Sequence, residues 1–213
     1  MKLYLTRHGQ SLGNLEGRFQ GSRYDSPLTE EGIDQAKKIA QRLKEYSFDE
    51  IFSSDLQRVL HTSEEVRSFH PKIPHHIDPR LRELDRGVRS GEIREEHEKG
   101  WVCNKDPNSR FDEGESVYDQ VERVRDFVSD LIQRKSENIL IISHGGTMKA
   151  LLSVLLNLDP VTCSETYKTG NCCLYILNLA DDGSCSVELA NCQKHLEEEL
   201  PKEKDEEEIY YDY

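Results

Sequence analysis

Short unbroken apolar runs alternate along the chain with stripes of apolar residues spaced three or four apart. Residues 2–6, with Leu3, Tyr4 and Leu5, predict a strand entering a Gly/Ser/Asn loop at 9–14. A helix is predicted from Thr29. Thr29 suits an N-cap, Glu30 and Glu31 suit the first turn, and Ile33, Ala36, Ala40 and Leu43 fall on one face. Residues 49–53 predict a second strand, and Leu56, Val59, Leu60, Ser63 and Val66 mark one side of the next helix. Residues 70–80 contain three prolines and read as a loop with a short extended piece at 76–77. Residues 86–113 are polar and weakly periodic, an excursion with a short helix expected near 95–103. Val117, Val121, Val124, Val128 and Leu131 predict a long amphipathic helix.

The clearest strand is Asn138–Ser143, whose unbroken run Ile139, Leu140, Ile141 and Ile142 suits burial on both faces. Gly145 and Gly146 turn it into a helix bearing Met148, Leu151, Leu152 and Leu155, and residues 172–178 and 186–190 predict two last strands. Such alternation implies an α/β fold, a three-layer sandwich with a mostly parallel central sheet and helices on both faces.

Length and charge refine this picture. A chain of 213 residues builds one sizeable core, so one domain is expected over residues 1–196, with an acidic tail at 197–213. The tail carries nine acidic and two basic residues, more than half of the chain's net charge of −13. It reads as a solvated extension; a regulatory or partner contact through Ile209, Tyr210, Tyr211 and Tyr213 stays open. The acidic balance argues against nucleic-acid binding. No run approaches the ~20 apolar residues of a membrane helix, and the opening residues lack a signal-peptide pattern, so a cytoplasmic location is expected. Cys103, Cys163, Cys172, Cys173, Cys185 and Cys192 show no C-x-x-C or zinc spacing and read as buried free thiols.

Three segments hold the polar groups of interest: Thr6-Arg7-His8-Gly9-Gln10-Ser11, Ser53-Ser54-Asp55-Leu56-Gln57-Arg58, and Ser143-His144-Gly145-Gly146. Each follows an expected strand, and in open α/β sheets sites form outside the carboxyl ends of strands. Arg7, His8, Arg58 and His144 can therefore converge into a positive pocket whose planar donors suit phosphate or carboxylate oxygens. Neighbouring guanidiniums disfavour a protonated imidazole, which keeps His8 neutral and nucleophilic near pH 7. The same cations stabilise charge on a transferring phosphoryl group, as a metal ion does elsewhere. No carboxylate cluster suits Mg²⁺, so no metal and no cofactor are expected. Glu83, in Leu81-Arg82-Glu83-Leu84, is the candidate proton donor for a leaving alkoxide. His61, His70, His75, His76, His97 and His195 read as surface residues, and the pair His75 and His76 lacks further ligand-type neighbours.

Thr6-Arg7-His8-Gly9 followed by Asn14 resembles the signature of the histidine phosphatase superfamily, the phosphoglycerate mutase-like proteins. Asp25-Ser26-Pro27-Leu28-Thr29-Glu30-Glu31-Gly32 with Gln35-Ala36, Ser53 to Arg58 with Thr62, Leu81 to Leu84 with Gly87 and Gly91, Gly114-Glu115-Ser116, and Ser143 to Gly146 continue the resemblance in the family's order. The resemblance implies that His8 becomes phosphorylated. It implies that Arg7, Arg58 and His144 bind the phosphoryl oxygens with Asn14 and the Gly145 backbone. It further implies that Glu83 protonates the leaving group and then activates water, with Gln20 and Gly21 contacting the substrate beyond its phosphate. The chain departs from the pattern at Arg86 and Arg89, where the family often has aromatic residues. These arginines pair with Glu92, Glu95 or Glu96, or recognise a second anionic group.

The expected activity is metal-independent hydrolysis of a small phosphomonoester, the expected partner. The resemblance implies that true mutases carry a longer insertion between Glu83 and Gly114, and the stretch of about 30 residues here favours a phosphatase. Mutase-type transfer, phosphoprotein hydrolysis and a non-catalytic binding module are the alternatives, and a homodimer stays open.

Overall fold

The computed structural model describes residues 1–94, 106–197 and 199–200. The helix expected near 95–103, the residues Cys103, Glu95, Glu96 and His97, and nearly all of the acidic tail lie outside the described residues. The elements run β1 (Lys2–Arg7), α1 (Leu12–Leu15), α2 (Glu30–Leu43), β2 (Glu50–Ser53), α3 (Gln57–Phe69), β3 (His75–Ile77), α4 (Val117–Leu131), β4 (Asn138–Ser143), α5 (Gly145–Leu155), α6 (Pro160–Thr166), β5 (Leu174–Leu179) and β6 (Cys185–Cys192). The strands form one sheet in the order β3-β2-β4-β1-β5-β6. The first four are parallel, β5 runs antiparallel to β1, and β6 runs antiparallel to β5. The expected mostly parallel α/β architecture is the observed one.

The alternation of side chains along the central strands builds two cores. Leu3, Leu5, Ile139 and Ile141 pack with Val124 and Phe127 of α4 and with Leu151 and Leu152 of α5. Tyr4, Leu140 and Ile142 point the other way, against Ile39 and Leu43 of α2 and Val59 and Val66 of α3. The central strands are covered on both faces, hence their unbroken apolar runs.

Several local readings need correction. Ile33 is 43% exposed, and the buried stripe of α2 instead runs through Gly32, Ala36, Ile39, Ala40 and Leu43. The first turn docks through Gly32, where a Cβ would lie 1.9 Å from the Gln10 carbonyl oxygen, and this rotates Ile33 off the core. The extended piece expected at 76–77 is present, as β3 paired with β2. The short helices α1 and α6 sit in stretches without a long apolar period. His70 and His195 are buried rather than on the surface. Their rings satisfy backbone carbonyls, His70 Nε2 at 3.1 Å from the Leu43 oxygen and His195 Nε2 at 2.9 Å from that of Cys172. Cys163, Cys172 and Cys173 are buried free thiols, whereas Cys185 and Cys192 are only half-buried. Among the described residues no helix is long and apolar enough to cross a membrane.

Candidate active site

The register of β2, β4 and β1 brings three sequence segments to one edge of the sheet. Arg7 pairs with Ser143, and Ser53 pairs with Ile142. His8 and His144 therefore leave adjacent strand ends, with ring centroids 5.3 Å apart in an edge contact. Both rings are buried. Glu83 reaches the same edge from the turn after β3, a turn held by three long-range contacts. Ser143 Oγ donates to the Leu81 carbonyl at 2.7 Å, Thr147 Oγ1 to that of Arg82 at 2.8 Å, and Arg123 Nη1 to that of Arg80 at 2.6 Å.

His8 Nδ1 lies 2.7 Å from the Gly9 carbonyl oxygen. A carbonyl only accepts, so Nδ1 carries the ring proton and Nε2 keeps its lone pair. Burial, then the charges of Arg58 and Arg7, hold the His8 pKa well below its usual value, and the ring is neutral at pH 7. The same causes, burial first and then Arg58, depress His144. Ser54 Oγ accepts the Leu56 amide and lies 2.9 Å from His144 Nε2. With the serine proton given to Nε2, the His144 proton sits on Nδ1.

The two arginines are held from behind. Arg58 is 1% exposed. Its Nη1 donates to Asp25 Oδ1 and its Nη2 to the Gly21 carbonyl, each at 2.8 Å. Arg7 Nη1 donates to the Thr169 carbonyl at 2.8 Å. Arg7 Nε, Arg58 Nε and His144 Nδ1 are buried polar atoms without a hydrogen-bond partner among the described residues. Buried donors of this kind are costly. Three of them around one imidazole make a cradle for an anion with several oxygens.

The N-terminus of α5 adds to this cradle. A Cβ on Gly145 would lie 3.4 Å from Arg7 Nε, so the glycine backbone comes close to the guanidinium. Glu83 Oε2 accepts the Gly146 amide at 2.9 Å, and Oε1 accepts the Leu84 amide at 2.8 Å and Gln120 Nε2 at 3.4 Å. Glu83 is also near enough to both arginines to support their charge. Among the described residues, no group of three or more His, Cys, Asp or Glu side chains is placed to hold a metal ion.

The remaining sequence-derived residues take supporting positions. Asn14 Oδ1 accepts the Ser11 amide and Asn171 Nδ2, each at 3.3 Å. The Gln20 amide oxygen is occupied by Ser11 Oγ at 3.0 Å and Ser26 Oγ at 2.8 Å, inside the loop. Gly21 has φ +57, which suits glycine, and a Cβ there would lie 2.7 Å from the Leu84 carbonyl oxygen. Sequence reasoning missed Asn171, whose Nδ2 donates to the His8 carbonyl at 2.9 Å. It also missed the roles of Asp25, Gln120 and Thr169. Asp25 and Gln120 sit within recognisable segments, but no local pattern marks their partners. Asn171 and Thr169 join the site only because β5 runs antiparallel to β1 and starts at its carboxyl end.

Known proteins resemble this chain in sequence and fold. Residues 3–193 match the family model described as histidine phosphatase superfamily (branch 1). A probable phosphoglycerate mutase GpmB of Cronobacter sakazakii is 35% identical over 179 residues, 81% of this chain and 82% of that protein. The alpha-ribazole phosphatase of Shigella flexneri superposes with a TM-score of 0.81 at 27% identity, covering 90% of this chain and 96% of that one. A mycobacterial glucosyl-3-phosphoglycerate phosphatase complexed with VO3 superposes with a TM-score of 0.80 at 27% identity, covering 90% and 99%.

Proposed function

The chain belongs to the histidine phosphatase superfamily, and from that premise we propose that it hydrolyses a small phosphomonoester through a phosphohistidine on His8. The observation that carries this reading is a neutral His8, protonated on Nδ1, beside donors of Arg7, Arg58 and His144 that have no partner among the described residues. The two guanidiniums bind the phosphoryl oxygens, assisted by His144, Asn14 and the Gly145 amide, and offset the charge that builds in the transition state. Nε2 attacks phosphorus, the ester P–O bond breaks, and the leaving oxygen takes a proton from Glu83. Water then attacks the phosphohistidine, Glu83 takes its proton, and the P–N electron pair returns to Nε2 as inorganic phosphate forms. The arginines do what metal ions do in other phosphoryl-transfer sites, so turnover survives EDTA.

Phosphatase and mutase share these steps up to the phosphohistidine. The curated relative quoted above carries a mutase name and the solved neighbours carry phosphatase names. The short stretch between Glu83 and Gly114 favours hydrolysis here. A panel of phosphomonoesters, including p-nitrophenyl phosphate and 3-phosphoglycerate, tests both points. Wild type releases inorganic phosphate and does not interconvert phosphoglycerates, and it forms an acid-labile phosphoenzyme. His8→Ala loses at least about 10³-fold in kcat. Glu83→Gln loses about 10²-fold or more on alkyl phosphates and far less on p-nitrophenyl phosphate, whose leaving group needs no proton. Near-wild-type activity of His8→Ala would refute the reading.

A further inference from the structure

The loop between α6 and β5 carries donors that the phosphoryl chemistry leaves unused. Arg7 Nη1 holds this loop by its backbone, at the Thr169 carbonyl. The Thr169 side chain turns to the start of α5. A Cβ on Gly145 would lie 3.2 Å from Thr169 Oγ1 and 3.4 Å from Arg7 Nε. The missing side chain of Gly145 therefore leaves a notch bordered by a hydroxyl and a guanidinium N–H. Among the described residues no group donates to or accepts from Thr169 Oγ1, and Thr169 is half-buried. The arginines of the excursion are engaged elsewhere. Arg89 pairs with Glu92, and Arg86 and Arg89 both lie over the Phe19 and Phe111 rings.

Lys149 shares this face of α5. It follows Gly145 by four positions and Gly146 by three, so the three stack along one stripe of the helix, with about 5–6 Å between Cβ positions. Long side chains on a helix lean back toward its N-terminus, here toward the phosphate cradle. Lys149 Nζ donates to the Ser164 carbonyl at 3.3 Å and to Ser164 Oγ at 3.2 Å. Both acceptors are neutral, and they fill at most two of the three ammonium N–H groups. No described carboxylate lies in ion-pair range of Nζ. Burial lowers the Lys149 pKa, while the charge of Glu83 supports the ammonium and that of Arg7 opposes it. Nζ thus stands within electrostatic reach of both Glu83, the proton donor to the leaving group, and Arg7.

We infer that Thr169 and Lys149 line a subsite beside the phosphate cradle that binds a carboxylate of the substrate, one oxygen at Oγ1 and the other at Nζ. The inference rests on the phosphatase reading for the position of the phosphate. A hydroxyl and a point-charge ammonium suit the two oxygens of a carboxylate. The three oxygens of a phosphoryl group call instead for the planar forks that Arg7 and Arg58 already supply. The preferred substrates are small phosphomonoesters with a carboxylate a few bonds from the ester oxygen. Neutral alkyl phosphates fill the cradle and leave the subsite without a ligand.

Two probes separate these cases: 3-phosphoglycerate and glycerol 3-phosphate, which differ in carboxylate against hydroxymethyl. Dissociation constants are measured by calorimetry on the full chain carrying His8→Ala, alone and with Lys149→Met or Thr169→Val. The parent is expected to bind 3-phosphoglycerate about tenfold or more tightly than glycerol 3-phosphate. Each substitution is expected to lower that ratio, and Lys149→Arg to keep most of it. Thr169→Val retains the carbonyl that holds Arg7 and removes no charge, so a lower ratio there reports contact rather than a long-range field. Equal affinities in the parent, or no binding of either probe, overturn the inference whether or not the variants fold. A ratio unchanged by Lys149→Met or by Thr169→Val also overturns it. Failure of the phosphatase reading would show separately, as a wild type that turns over none of the phosphomonoester panel.

Discussion

A buried arginine must be held before it can hold a substrate. Arg58 is almost fully enclosed, and burial pulls its pKa down while Asp25 and Glu83 support its charge. Asp25 is itself held, since its Oδ2 accepts the Gln57 amide at 2.6 Å at the start of α3. Asp25→Asn keeps the shape and removes the charge. We expect it to lower kcat/KM about tenfold and to destabilise the fold by about 1–3 kcal/mol. Steady-state kinetics beside urea unfolding checks both, and unchanged kinetics would remove Asp25 from the positioning of Arg58. His8 shows the same logic at the level of one proton: the Gly9 carbonyl selects the tautomer, and burial, with the nearby guanidiniums, keeps the ring neutral.

At the scale of elements, the turn carrying Glu83 is shaped by backbone geometry more than by side-chain propensity. Gly87 has φ +55, and a Cβ there would lie 1.9 Å from the Asp112 carbonyl oxygen. Gly17 has φ +68 with nothing within 4 Å of a Cβ. Gly17→Ala therefore pays only the left-handed backbone cost of about 1 kcal/mol. Gly87→Ala adds a collision with backbone and should cost more than about 3 kcal/mol. Urea midpoints of the two variants check this; equal losses would mean that the Asp112 backbone yields freely. On the other side of the turn, α4 supplies Gln120 and Arg123. Its start is anchored by Ser116, whose Oγ accepts the Asp119 amide at 3.1 Å while Asp119 Oδ2 accepts the Ser116 amide at 2.7 Å. That capping box fixes the helix from which the Glu83 turn is gripped.

Across the whole molecule, three buried imidazoles couple stability to pH. His8 and His144 sit well below the ordinary imidazole pKa of about 6.5, and burial followed by Arg42 brings His195 to about 4. In the unfolded chain all three take protons near pH 6.5; in the folded chain they stay neutral. Stability is full above that pH and falls as pH drops from about 6.5 towards 4. At pH 5, His195 alone accounts for a loss of roughly 2 kcal/mol. Urea midpoints at pH 7.5 and 5.0 should show a fall that His195→Gln reduces. Imidazole NMR should show His8 and His144 still neutral at pH 6; a folded-state titration near 6.5 would contradict this.

The residues at the centre of the site were legible from the chain because their signals are local. Arg7, His8, Arg58 and His144 sit at or just after the ends of strands, and Thr29 announces a helix within one turn. Element class and the strand ends at which chemistry collects depend on neighbours a few positions away, and sequence determines them. The burial of His70 and His195 and the clasp of Asp25 on Arg58 had no such signal. Asn171 reaches the His8 carbonyl across 163 residues of chain, and only the pairing of β5 beside β1 brings it there. Tertiary structure alone decided those contacts, because they depend on which surfaces meet and how much water each meeting excludes.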